Sequence, residues 1–181
     1  MDIVMTGFAG LAESAALAQR RAEELKKRLP ERFFRAFARF LAERKEPEIP
    51  PEAKCLTPIG QGGVWEALWR LADSAENELG LKPAGLAVRQ SAVPVRQEII
   101  EICELLELDP YRIPSGGWLF VMENGRDGAG TVIGRLLHTK ARTVEGMAGL
   151  RYLEKPGREE ASRRQAGEEE ADSPQEESED A

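Results

Sequence analysis

Glycines standing just ahead of helix-forming stretches are the residues of this sequence with the clearest chemical meaning. Gly60, Gln61, Gly62 and Gly63 precede a periodic apolar run that opens at Val64. A helix starting there points its unpaired N–H groups and the positive end of its dipole back at the glycines. A residue without a Cβ lets a phosphate approach the backbone closely. The corner carries neither the lysine nor the Ser/Thr of a P-loop, so a tight strand-to-helix turn without ligand is the competing explanation. Thr6, Gly7 and Gly10 make a second corner of the same kind, ahead of an amphipathic run from Leu11, and again a plain helix-entry turn competes. Ser115, Gly116 and Gly117 precede an apolar stretch and read as a turn. The chemistry suggested is phosphate or nucleotide contact through backbone amides.

The other reactive side chains point to structure. Cys55 and Cys103 lie far apart, with no second Cys or His at ligand spacing, and read as buried structural thiols. His138, the one histidine, ends an apolar stretch and reads as a surface or packing residue. One His without a Cys or Asp cluster makes a zinc site implausible. Trp65, Trp69 and the Phe33–Phe40 group read as core or interface. Arg20–Arg21 and Lys26, Lys27, Arg28 read as a solvated helix face. No catalytic residue and no metal ligand is assigned.

The periodicities predict what positions the corners. Residues 2–7, 53–60, 85–93, 118–123 and 131–139 read as strands or extended segments, with a last one over 150–156. Helices are predicted over 11–29, from Pro30 to about Glu43, from Val64 to a glycine stop at Gly80, and over 95–107. The expected stripes are Val64, Ala67, Leu68, Leu71, Ala72 and Ala75 on the third helix, and Val95, Ile99, Ile102, Leu105 and Leu106 on the fourth. The order predicts a layered α/β (α+β) domain over 1–154, a mixed sheet covered by helices. Lys155 to Ala181 differs: ten acidic side chains against four basic ones give it −6 of the chain's −7, and leave the body near neutral at −1. Without an apolar run that segment is expected to be a disordered acidic tail. An acidic tail on a neutral body argues against nucleic acid. No apolar run approaches the roughly 20 residues that span a bilayer, and no signal peptide opens the chain. A cytoplasmic protein with reduced thiols is expected.

Several segments, in order, are similar to one family. MTGFAGLAESAALA (5–18) resembles the opening of the C-terminal domain in the aminoimidazole ribonucleotide synthetase (PurM-like) superfamily. TPIGQGGVWEALWRLADSA (57–75) resembles its glycine-rich segment and following helix, and the run from Val93 to Glu123 its proline–cysteine–leucine segment and strand. TVIGRL (131–136) matches its Val-Ile-Gly-Arg strand. The Cys-Glu-Leu-Leu-x-Leu-Asp-Pro-Tyr spelling from Cys103 to Tyr111 sits closest to the hydrogenase-maturation branch. The resemblance implies a domain with partial ferredoxin-like topology that closes over ATP bound by an N-terminal-type half. Thr57 and Pro58 stand where the family has a His-Asp pair, and Gly60 where it has Thr or Ser. Only Asn124 to Gly130 fill the gap that usually holds a helix, and the tail has no cysteine.

The resemblance and these departures together imply a non-catalytic lid and scaffold module that binds no cofactor alone. ATP and Mg would enter in a complex, with a separately encoded ATP-binding half or with a second copy of the chain as partner. The alternative is an ATP-dependent enzyme component active only in such a complex. An apolar face, on the Phe33–Phe40 helix or the sheet's open side, is expected to need cover by oligomerisation.

Overall fold

The computed structural model describes residues 1–45, 48–125 and 128–156. In chain order they form β1 (Asp2–Met5), α1 (Leu11–Arg20), α2 (Ala22–Leu25), α3 (Glu31–Glu43), β2 (Lys54–Pro58), α4 (Gly63–Glu78), β3 (Gly85–Arg89), α5 (Gln97–Leu105), β4 (Trp118–Met122), β5 (Thr131–Leu137), β6 (Arg142–Gly146) and β7 (Gly149–Tyr152). Among the described residues the strands make one seven-stranded mixed sheet in the order β2-β4-β1-β5-β3-β6-β7. β3 and β6 pair in parallel, and the other neighbours are antiparallel. β1 and β3 point the same way with β5 between them, which is the split βαβ part of a ferredoxin-like sheet.

Strand direction places the candidate corners. β1, β2, β3 and β6 run one way and β4, β5 and β7 the other. One rim of the sheet therefore gathers the ends of β1, β2, β3 and β6 with the starts of β4, β5 and β7. Thr6–Gly10 follows β1 and Gly60–Gly63 follows β2, so both corners sit on that rim.

The core explains the elements. Ile3, Met5, Leu86, Val88, Leu119, Val121 and Val144 line one sheet face at alternate strand positions. All six predicted stripe residues of α4 are buried against that face. Full burial of each leucine there contributes about 1.5–3 kcal/mol. A second core holds no strand residue: Leu11, Leu17, Leu25, Phe33, Phe37, Ile99, Ile102 and Cys103 join α1, α2, α3 and α5. The phenylalanine stripe is thus covered inside the chain, with Phe33, Phe34, Phe37 and Phe40 in mutual ring contact and Phe8 edge-on to Phe40. The open apolar surface is the other sheet face. There Val4, Phe120 and Met122 are buried under Ala129, while Trp118 and Val132 remain 37% and 36% exposed. Among the described residues, helices cover this sheet on one side only.

The cause of that one-sidedness is a short connection. β4 and β5 flank β1 and run in the same direction, a relation that ordinarily takes a crossover of a dozen or more residues with a helix. Here 123–130 makes it, and Gly130 (φ 138°) passes so near β1 that a Cβ would lie 2.6 Å from the Met5 carbonyl oxygen. The predicted helix over 11–29 is interrupted at Arg21, whose backbone (φ −113°, ψ 25°) leaves the helical region. The chain restarts as α2, and Leu25 and Leu29 turn into the helical core. β6 was not foreseen, because Thr143 and Val144 alone give little strand signal.

α5 ends in a Schellman motif: Leu108 N–H donates to Cys103 O (2.9 Å) and Glu107 N–H to Glu104 O (3.5 Å). The left-handed position, where glycine is usual, holds Glu107 (φ 55°). Glu107→Gly is expected to stabilise the fold by about 0.5–1 kcal/mol, the left-handed penalty less the entropy glycine adds to the unfolded chain. An unchanged or lower urea midpoint would contradict this.

Candidate functional site

A cleft of about 260 Å³ opens on the rim where four loops meet. Its walls are Thr6, Gly7 and Phe8 after β1, Pro94 before α5, Ser115–Gly117 before β4, Gly128 and Gly130 before β5, and Thr131 at the start of β5. Phe40, Arg44 and Lys45 at the end of α3 close it. Two hydrogen bonds at 2.9 Å lock the first and third loops together, from Thr6 N–H to Trp118 O and from Trp118 N–H to Thr6 Oγ1. The approach requires a glycine at 117, where a Cβ would stand 2.2 Å from Thr6 O. Ser115, buried, accepts the Gly10 N–H on its Oγ at 2.9 Å.

Polar groups left over define the chemistry. Around the first corner, the Thr6, Ala9, Gly10 and Leu11 amides donate to Trp118 O, Pro94 O, Ser115 Oγ and Phe8 O. The amides of Gly7 and Phe8 have no acceptor among the described residues. Arg44 and Lys45 are exposed and form no ion pair among the described residues. The nearby Arg96 is engaged elsewhere: it lies 4.0 Å from the Phe40 ring centre and pairs with Glu98 at 2.8 Å, holding that carboxyl below its ordinary range. Among the described residues the cleft lining contains three hydroxyls and two cations, with no carboxylate and no imidazole. Such a lining attracts anions.

The predicted residues divide. Thr6 and Gly7 line the cleft. Gly10 stands behind it as the residue before α1, and the amides of Glu13 and Ser14 go to Pro114 O and Gly10 O. Gly60, Gln61, Gly62 and Gly63 lie on the same rim outside the cleft. Their helix is capped from within: Val64 N–H donates to Tyr111 O at 2.8 Å, Trp65 N–H to the same oxygen at 3.4 Å, and Gly63 N–H to Gly60 O at 2.9 Å. Ser115–Gly117, read as a turn, proves to be a wall of the cleft. Arg44, Lys45 and Gly128–Thr131 were not singled out, because no local pattern marks them. Both thiols are buried and pushed up by desolvation, Cys55 to about 11, as unreactive structural cysteines should be. His138 is exposed, with Nε2 3.0 Å from Lys82 O. No group of three His, Cys, Asp or Glu gathers among the described residues. No helix among them is long and apolar enough to cross a membrane.

No family model matches this sequence. The carbamoyl dehydratase HypE of Rhodobacter capsulatus is 31% identical over 71 residues, 39% of this chain and 19% of HypE. Among solved structures, a HypE–HypF complex superposes with a TM-score of 0.58 at 17% identity, over 86% of this chain and 52% of its counterpart. The fold is the one found in about half of such a HypE chain, and identity this low carries the fold alone. HypE of E. coli gives a TM-score of 0.57 at 20% identity, over 86% of this chain and 49% of that one. The thiamine monophosphate kinase of Aquifex aeolicus gives 0.54 at 17% identity, over 86% and 51%. The chain spans about half the length of the solved proteins it resembles.

Proposed function

We propose that this chain is a HypE-like lid and scaffold module: it grips the phosphates of a nucleotide whose magnesium and reactive groups are held by an ATP-binding half on another chain. The observation that supports this is the composition of the rim cleft. Free amides at Gly7 and Phe8, the hydroxyl of Thr131 and the cations Arg44 and Lys45 suit a phosphate chain. Phosphoryl chemistry also needs carboxylates to hold a divalent metal, and none lines the cleft among the described residues. The module works in the cytoplasm, and its partly exposed sheet face with Trp118 and Val132 is where the ATP-binding half or a second copy docks.

Calorimetry tests this in two arms. Inorganic tripolyphosphate is expected to bind the chain alone, with a Kd on the order of 1 mM. Mg-ATP is expected to bind at least ~10-fold more tightly once the ATP-binding half of a HypE-type protein is supplied in trans. Tight Mg-ATP binding by the chain alone, or no gain from the added half, overturns the reading. Sedimentation of the mixture reports whether the sheet face is covered by that half or by a second copy.

A further inference from the structure

A second cleft, of about 590 Å³, opens on the same rim beyond the Gln90–Pro94 segment, and its charges follow a different logic. It lies outside the carboxyl ends of β3 and β6, the parallel pair, where open sheets ordinarily present a ligand crevice. Its size falls in the range of small-molecule sites. Arg89 ends β3, and its register partner on β6 is Glu145. Opposite charges directly across two strands ordinarily pair. Here neither Arg89 nor Glu145 forms an ion pair among the described residues, and both line the cleft. The floor is fixed by Gly146, where a Cβ would lie 2.8 Å from Gln90 Oε1, so the carboxamide packs over the backbone there. Tyr111 forms the opposite wall, backed by Trp65 in a stack with centroids 5.0 Å apart. Met147, fully exposed, overhangs the mouth.

We infer that this cleft binds a zwitterion of the amino-acid class. Arg89 takes the carboxylate through its fork of N–H donors. Glu145 accepts the ammonium, and the Tyr111 ring with Met147 covers the apolar part. A simple anion gains from Arg89 but is repelled by Glu145, and a simple cation meets the reverse. Only a molecule carrying both charges satisfies both side chains. The phosphate cleft has two cations without an ion-pair partner among the described residues and would not select such a ligand. Zwitterion binding goes beyond the proposed lid function and does not rest on it, and its test contains no nucleotide.

The probes are a panel of free α- and ω-amino acids, each at up to ~10 mM, with acetate and ethylammonium as half-ligands. Readouts are the NMR shifts of the Gly146 amide and the Trp65 indole. At least one amino acid is expected to shift both signals saturably, with either half-ligand at least ~10-fold weaker, as loss of one charge-assisted contact implies. Arg89→Gln and Glu145→Gln, checked for unchanged melting temperature, are each expected to weaken binding by at least ~10-fold. The inference is overturned if no amino acid shifts these signals, if acetate or ethylammonium binds as well as the zwitterion, or if the two variants bind like the wild type.

Discussion

Gly63→Ala is expected to cost the fold roughly 3–5 kcal/mol, whereas Gly80→Ala, at nearly the same backbone angle, costs about 1 kcal/mol. The two glycines have φ of 65° and 66°, so the left-handed penalty is common to both. They differ in the space a methyl group would find. At Gly80, past the end of α4, nothing lies within 4 Å of the added Cβ. At Gly63 it meets Tyr111 O at 2.3 Å and Arg112 C and Cα at 2.7 and 2.8 Å, all backbone. Relief would require the Tyr111–Arg112 segment to move. That segment caps α4 through Tyr111 O and stacks Tyr111 on Trp65. The clash therefore also loosens an N-cap, itself worth about 1 kcal/mol. Urea unfolding of the two variants checks the difference. Equal midpoints would mean that the loop does not pack against α4 as described.

The same residue shows how far the sequence was legible. Gly60–Gly63 signals a backbone that something approaches closely, and at Gly63 something does, whereas a Cβ at Gly60 would meet nothing within 4 Å. What approaches is the chain itself, since Tyr111 O occupies the amides a phosphate would take. Sequence distinguishes a glycine needed for close approach from one that is dispensable, but not the kind of neighbour. The α4 stripe and the strands were readable because burial repeats at 3.6 or 2 residues. The cleft was half readable: Thr6 and Gly7 carry a local glycine signal, while Arg44, Lys45 and Gly128–Thr131 reach it only through strand order and the short 123–130 crossover. β6 forms because β3 offers it a parallel ladder from Leu86 to Arg89, a tertiary effect that weak local propensity hides. The expected acidic tail, 155–181, lies outside the described residues from position 157 onward. The helical core shows a different limit. The stripe from Phe33 to Phe40 reads as a face in need of cover, and α1 and α5, distant in sequence, supply that cover.

Reversing both rim cations, Arg44→Glu with Lys45→Glu, is expected to weaken tripolyphosphate binding by at least ~100-fold while leaving the unfolding midpoint almost unchanged. Each charge-assisted contact to a phosphate oxygen contributes about 1.5–3 kcal/mol, and the lower figure applies because both side chains are exposed. Two such losses amount to about 3 kcal/mol, a little over two powers of ten. Stability is spared because neither side chain has an ion-pair partner among the described residues and neither belongs to a core cluster; exposed substitutions of that kind stay within about 0.5 kcal/mol. Salt separates this from a shape effect. Screening shortens the reach of the charges from about 10 Å at 0.1 M to about 3 Å at 1 M, so wild-type affinity should fall steeply with ionic strength and the variant's residual affinity much less. If the doubly reversed protein bound tripolyphosphate as the wild type does, the anion would lie somewhere other than this cleft, and the lid function proposed for it would lose its support. If affinity fell equally with salt in both proteins, the cations at the end of α3 would contribute only background charge, and the Gly7 and Phe8 amides alone would carry the contact.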